Sequence, residues 1–328
     1  MNDTKNKKII IWFLDNIVWV ILFAILIIFS LTIEGFNQWS IFKNILYHSV
    51  FVGILAISNT LCVISGELDL STESVMALSG IITAYLAGVG AVQSGLQLNG
   101  IATLGIVILV GICVGVFNSF FIIKLKISSF IITLAGYLAF RSIGLVLTKG
   151  RGIYSISEDI LWVARKDIGP IPLMVIIILV IYFLFSKLLG NFRLGRYIYF
   201  IGGNRQASYN AGINVSKVLC SVFILSSVLA AIAGWLMAGR LNGSSPSLGM
   251  GMLFDSLAAL VIGGVSLKGG VGKLSGVFAG TIILSAISTV IAIVGMNPYY
   301  TNIIRGGLIL SAVVLDSIVS YYRAKYNN

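Results

Sequence analysis

Apolar runs of about 20 residues follow one another along almost the whole chain, separated by short polar connections. A helix of roughly 20 apolar residues crosses the hydrocarbon core of a bilayer. Lipid admits only backbones that satisfy their own N–H and C=O groups, so such a pattern has few solutions other than a bundle of spanning helices. About ten runs are read, at 10–32, 45–64, 74–89, 101–123, 127–147, 172–189, 218–239, 252–265, 275–294 and 302–319. Composition excludes the competing classes. With 58% hydrophobic and 10% charged residues the chain has too few charges to clothe a soluble surface, and it is too apolar for disorder. The expected fold class is an all-α polytopic membrane protein forming a single transmembrane domain over 1–328.

The charges give an orientation. Under alternating topology fourteen of the 22 Lys and Arg fall in segments on the side of the N-terminus and six on the other, with Arg141 and Arg305 inside runs. Basic residues collect in cytoplasmic loops, which predicts both termini inside the cell. The net charge of +11 is scattered rather than gathered in a patch, so no nucleic-acid partner is expected. The first run is longer than a cleaved signal's apolar region and lacks an A-x-A site, so it reads as a retained span. Cys62, Cys113 and Cys220 have no CxxC spacing and read as packed free thiols.

Two stretches interrupt the pattern. Residues 65–74, SGELDLSTES, carry Glu67, Asp69 and Glu73, and residues 263–276, GGVSLKGGVGKLSG, are glycine-rich. Irregular backbone at membrane depth must line a cavity or be buried in protein. Both stretches follow Val-Ile and lead to Leu-Ser-Gly, at 78–80 and 274–276, which hints at an internal duplication of the kind that marks transport pathways. Ionisable residues within a membrane are functional by default, so Glu67 and Asp69 are candidates for the pathway or its gate. The competing role is capping of the next helix together with Ser71. Asp255, three residues into the eighth run, reads as a structural or capping group, with the pathway as the alternative. Arg141 either pairs with an acid or reaches toward an interface. Asn59 and Asn118 offer hydrogen bonds to a polar solute or between helices, and Gly111 with Gly115 forms a GxxxG pair suited to close helix packing. His48 is the sole histidine and reads as a packed or interfacial residue.

The longest polar connection runs from 190 to 217, GNFRLGRYIYFIGGNRQASYNAGINVSK. Such a loop is more often functional than a plain connector. Its 204–211 portion, NRQASYNA, lies between Gly203 and Gly212 and is expected to form a short helix suited to docking another protein. No nucleotide-hydrolysing motif accompanies it. GGVGK lacks the first glycine of a P-loop, since Leu267 stands there, and Leu274 replaces the Ser or Thr that would hold Mg²⁺. The chain reads as a transport component rather than an enzyme, either driven by a separate ATPase or, alternatively, a proton-coupled secondary carrier.

SGELDLS, the order Leu-Gly-Arg-x-x-Tyr at 194–199, Gly-Gly-Asn at 202–204, Ala-Gly-Ile-Asn at 211–214, AGR at 238–240, FDSLAALVIGGVSLKGGVGKLSG at 254–276, VGMNPYY and IIRGGLIL together resemble the permease subunit of bacterial ABC importers for monosaccharides, the ribose and galactose permease group. The resemblance runs from about residue 40 to Ser317. Glu67 stands where that group has Ile, Ala211 where it has Ser, and Glu73 where it often has Gly. The resemblance implies a multi-pass protein of the bacterial inner membrane that works with an extracytoplasmic sugar-binding protein, a cytoplasmic ATP-binding cassette subunit and a second permease copy, identical or related. ATP is then used by the partner, and the chain itself binds no cofactor. Glu67, Asp69, Ser71, Asn59, Asn118 and Asp255 become candidates for the substrate pathway. Gly203, Asn204, Arg205, Gln206, Ala207, Ser208 and Gly212 become candidates for coupling to the ATPase.

Overall fold

The computed structural model describes residues 2–88 and 96–296, with single positions 300, 303, 304, 306, 307, 310 and 314 beyond them and backbone alone for 2–15. The expected last run, 302–319, therefore lies largely outside the described residues. In chain order the elements are α1 (Asn2–Thr32), α2 (Trp39–Ile64), α3 (Thr72–Ala87), α4 (Gly100–Lys124), α5 (Ser129–Thr148), β1 (Ile153–Tyr154), α6 (Glu158–Arg165), β2 (Asp167–Ile168), β3 (Ile171–Pro172), α7 (Leu173–Asn191), α8 (Arg193–Gly203), α9 (Arg205–Asn210), α10 (Val215–Leu241), β4 (Gly243–Ser244), α11 (Met252–Ile262) and α12 (Leu274–Ile293).

Among the described residues six helices, α2, α4, α5, α7, α10 and α12, are long and apolar enough to cross a membrane. The runs at 74–89 and 252–265 are the two shortest of the ten, and the structure keeps both short of a full span. α3 has 16 residues and α11 has 11, so at 1.5 Å per residue they extend about 24 and 16 Å, short of the roughly 30 Å core. The chain before each of them is not helical, over 65–71 and 245–251. The helices cannot lengthen in that direction because turn residues and glycines occupy it.

α2 runs through the centre, with 94% of its apolar window buried, whereas α5 is buried over 22% and faces outward. With lipid outside there is little hydrophobic force between helices, and close backbone approach at small residues takes its place. A methyl added at Gly115 would lie 2.5 Å from Ile224 Cα and one at Gly111 would lie 2.8 Å from Val228 Cα. The GxxxG pair of α4 thus seats directly on the backbone of α10. At Gly234 of α10 a methyl would overlap the Met76 carbonyl of α3. Cys62 is buried, but Cys113 is exposed on α4, contrary to the expectation of three packed thiols.

The connections gather at two ends of the bundle. At one end β1 pairs antiparallel with β4, Ile153 opposite Ser244, and β2 pairs with β3. Lys43 of α2 bonds Asp167 there and holds its carboxyl below the usual carboxylate range. α6 belongs to this end and no apolar run announced it: it buries Ile160 and Ala164, and a methyl on Gly239 of α10 would lie 2.7 Å from the Ala164 methyl. The other end holds both helix breaks and the 190–217 segment. Segments that alternation assigns to one side of a membrane thus do meet one another.

Candidate functional site

Both breaks begin with the same backbone device. At the end of α2 the N–H of Gly66 bonds the Val63 carbonyl and the N–H of Glu67 bonds that of Cys62, at 2.9 and 3.0 Å. At the end of α11 the N–H of Gly264 bonds Val261 and that of Val265 bonds Leu260, again at 2.9 and 3.0 Å. This is the Schellman pattern, which needs a left-handed residue after the cap. Gly66 and Gly264 both have φ +81°, a conformation costly for residues with a Cβ. The Leu-Ser-Gly strings do not occupy matching places, since 78–80 lies inside α3 and 274–276 opens α12.

Beyond the first break Asp69, Ser71 and Asn118 come together. Asp69 Oδ1 accepts from the Ser71 N–H at 3.0 Å and the Ser71 hydroxyl at 2.6 Å. Oδ2 accepts from the Ser226 hydroxyl of α10 at 2.7 Å, and Ser226 is joined to Ser58 of α2 at 2.8 Å. Asn118 of α4 donates to Ser71 Oγ at 3.0 Å. One buried carboxylate thereby ties α2, α10 and α4 to the start of α3. Burying a charge is costly unless it is hydrogen-bonded, and both Asp69 oxygens are engaged. Asn59 donates to Ser256 of α11 at 2.8 Å, an interhelical bond. The carbonyl oxygens of Asn59 and Asn118 are buried without a hydrogen-bond partner among the described residues. Asp255 is buried in the first turn of α11. His48 approaches Ser285 of α12 at 3.3 Å.

Glu73, outside the set of candidates read from the sequence, is the best-connected acid of the break. It is 1% exposed and accepts from Arg141 Nη2 at 2.6 Å. Its other oxygen accepts the N–H groups of Gly251 and Leu253, both at 3.0 Å. Those groups belong to the start of α11, whose first N–H donors have no partner within the helix. Arg141 also donates to the Pro246 carbonyl at 2.8 Å. A glutamate on α3 therefore caps a helix nearly 180 residues away, and an arginine on α5 completes its bonding. The signal in the sequence was Arg141 itself, because an intramembrane arginine needs an acid.

Glu67 does not join Asp69. It is paired with Arg205 of α9 at 2.8 Å, with side-chain exposures of 10% and 56%. The 190–217 segment is mostly helical rather than a loop, with α8 unanticipated and α9 near its expected place. Gly195 allows α8 to fold tightly on α7, since a methyl there would lie 2.5 Å from Leu189 Cα. Asn204 caps α9 by accepting the Ala207 N–H at 2.9 Å. Gly212 ends it at φ +81° in the same Schellman pattern as the two breaks. Of α9, Ser208 is buried, and Arg205, Gln206, Ala207 and Tyr209 are exposed.

The end of α8 meets both breaks at one joint. The Gly270 N–H bonds the Ile64 carbonyl at 2.8 Å. A methyl on Gly202 would overlap that carbonyl and lie 2.6 Å from the Gly270 nitrogen, and one on Gly269 would lie 3.0 Å from Gly66 Cα. Tyr199 of α8 donates to the Gly272 carbonyl at 2.8 Å. Two surface clefts, one around residues 30–38 and one around 183–192, lie away from this joint and from the Asp69 clamp.

Comparison with known proteins gives a consistent result. Residues 41–313 match the model of a family described as branched-chain amino acid transport system / permease component. The chain is 29% identical to the ribose import permease protein RbsC of Escherichia coli (strain K12) over 310 residues, covering 93% of this chain and 94% of that one. It is 33% identical to the D-allose transport system permease protein AlsC of the same strain, over 89% of this chain and 87% of that one. It is 31% identical to the xylose transport system permease protein XylH of Haemophilus influenzae, over 92% and 96%. No solved structure matches.

Proposed function

The chain belongs to the family of branched-chain amino acid transport system permease components, and from that premise we propose that it is the membrane permease subunit of an ABC importer for a monosaccharide or related small polar solute. The observation that carries this reading is near full-length similarity to permeases named for ribose, allose and xylose. The protein is a multi-pass inner-membrane component. About ten spans, with both termini and the two-break end in the cytoplasm, fit the distribution of its basic residues.

In this reading α9 is the element on which the ATP-binding cassette subunit docks. It is capped at both ends, exposes Arg205, Gln206 and Tyr209, and sits on the joint of the two breaks. The opposite end, with α6 and the paired β1 and β4, meets the sugar-binding protein, and a second permease copy, identical or related, completes the pathway. ATP is bound and hydrolysed by the partner. The permease contributes two arrangements of its breaks, whose populations ATP and the loaded binding protein shift. A proton-coupled carrier would use Glu67 or Asp69, and Asp69 has both oxygens engaged while Glu67 is paired with Arg205 of α9 rather than placed beside Asp69.

Uptake into proteoliposomes tests the assignment. With the ATPase and binding protein present, sugar uptake should require ATP and survive a protonophore. Uptake driven by a proton gradient without any ATPase would overturn it. For orientation, a phosphatase fused after Asn204 should be inactive and one fused after Asp159 active.

A further inference from the structure

Glu67 shares a break with Asp69, yet its contact is with the docking element. Three observations converge on it. Its carboxylate receives Arg205 Nη1 at 2.8 Å, a link across 138 residues of sequence. It follows Gly66, the left-handed residue on which the 65–71 stretch turns away from α2. Next to that turn, Gly202 at the end of α8 lies against the last carbonyl of α2 with no room for a methyl.

These contacts divide a joint from a link. The joint is backbone on backbone: Gly66, Gly202, Gly269 and Gly270 pack without side chains, held by the single Gly270 N–H to Ile64 carbonyl bond, an arrangement that leaves room for small rotations. The Glu67–Arg205 pair is the side-chain bond joining α9 itself to the 65–71 stretch. From there the chain leads in two residues to Asp69, which holds α10 through Ser226, and the next residues start α3. The second break has its own side-chain tie to α8, through Tyr199 and Gly272.

We propose that Glu67 is a positioning residue for energy coupling: its ion pair with Arg205 transmits movement of the ATPase-docking helix α9 to the 65–71 break, while the glycine joint beside it serves as the pivot. The inference rests on the reading of α9 as the docking element. It moves Glu67 out of the substrate pathway and into the coupling machinery. With Glu67 10% exposed but its Arg205 partner 56% exposed, the guanidinium can leave for water and return within a cycle, whereas a fully buried pair would resist this.

The test uses the permease assembled with its ATPase in proteoliposomes, in a background with Cys62, Cys113 and Cys220 replaced by Ala and with Leu68→Cys as a reporter in the break. The readout is the rate of maleimide labelling at position 68 with and without ATP, together with the amount of ATPase that co-purifies. ATP should change the labelling rate by about fivefold, within the usual range for coupled sites. Adding Glu67→Gln should abolish that change while ATPase co-purification stays at its original level. Arg205→Lys, which keeps the charge, should retain most of it. An ATP response unaltered by Glu67→Gln overturns the proposal, as does a parallel loss of folded permease and of response that leaves the response per assembled complex unchanged. An absence of ATP response at position 68 in the background protein also overturns it. Sugar uptake by the wild type, measured separately with radiolabelled ribose, xylose and allose, tests the transport assignment itself, so the two failures are distinct.

Discussion

Glu67 in the 65–71 break and Glu73 in the first turn of α3 lie six residues apart, and each is paired with an arginine, but the two pairs do opposite work. Glu73 is sealed from solvent, receives four hydrogen-bond donors, and fixes the starts of α3 and α11 against α5. Glu67 makes one ion pair with a guanidinium that is 56% exposed. Breaking a buried pair strands the remaining charge and costs about 3–5 kcal/mol, whereas a surface pair contributes roughly 0.2–1 kcal/mol; the Glu67–Arg205 pair, with Glu67 10% exposed and Arg205 open to water, lies nearer the second. The comparison teaches that acidic residues in a membrane break are not one class: depth and the number of donors decide whether a carboxylate holds the fold or acts as a releasable link.

The largest effect should come from Glu73→Ala. Arg141 is left without its acid and the α11 N-terminus without its acceptor, so thermal stability in detergent should fall by about 3–5 kcal/mol. Removing the stranded charge as well, in Glu73→Ala with Arg141→Met, should recover much of that loss. A double variant no better than the single one would mean that capping of α11, rather than the charge pair, dominates. Asp69→Asn should come next. It keeps one acceptor for Ser71 but sets the amide NH2, a donor, against the Ser226 hydroxyl that donates to Asp69, a loss of about 1.5–3 kcal/mol for a charged hydrogen bond, read from the same unfolding curve.

The joint can be broken separately from either pair. Gly202→Ala pushes a methyl into the Ile64 carbonyl and should cost about 1–3 kcal/mol through overpacking. Gly203→Ala, with nothing within 4 Å of the added carbon, should be close to neutral in the same assay. Equal stability of the two variants would contradict the close packing of α8 on the breaks. The smallest stability effect should be that of Glu67→Gln, below about 1 kcal/mol.

The sequence made the helices legible because each long span is a local matter of some 20 apolar residues. It also revealed the GxxxG seat of α4 and the place of α9 before Gly212, while the capping role of Asn204, read from the sequence as part of the helix, came only from the structure. It showed α3 and α11 as the two shortest runs, but not that α11 stops at Ile262 in a glycine turn, because that end is set by Gly264 and the backbone bonds after it. α6 was missed for a related reason: an amphipathic turn of eight residues carries too few apolar positions to stand out. The pairing of acids was the least legible. Glu73 meets Arg141 and Gly251, and Glu67 meets Arg205, across separations that no periodicity encodes. Proximity in sequence suggested that Glu67 works with Asp69, and the direction of the chain after Gly66 sends its carboxylate to α9 instead.

The most direct test of this division sets Glu67→Gln beside Glu73→Gln in the assembled transporter, measuring the unfolding midpoint and the sugar taken up per ATP hydrolysed. The account predicts that Glu73→Gln lowers the midpoint markedly. Glu67→Gln should move it by no more than about 2–4 °C, the shift that 1 kcal/mol produces in a smaller domain of about 150–250 residues, and should sharply lower uptake per ATP. A Glu67→Gln variant with unchanged uptake per ATP, or one destabilised as much as Glu73→Gln, would contradict it.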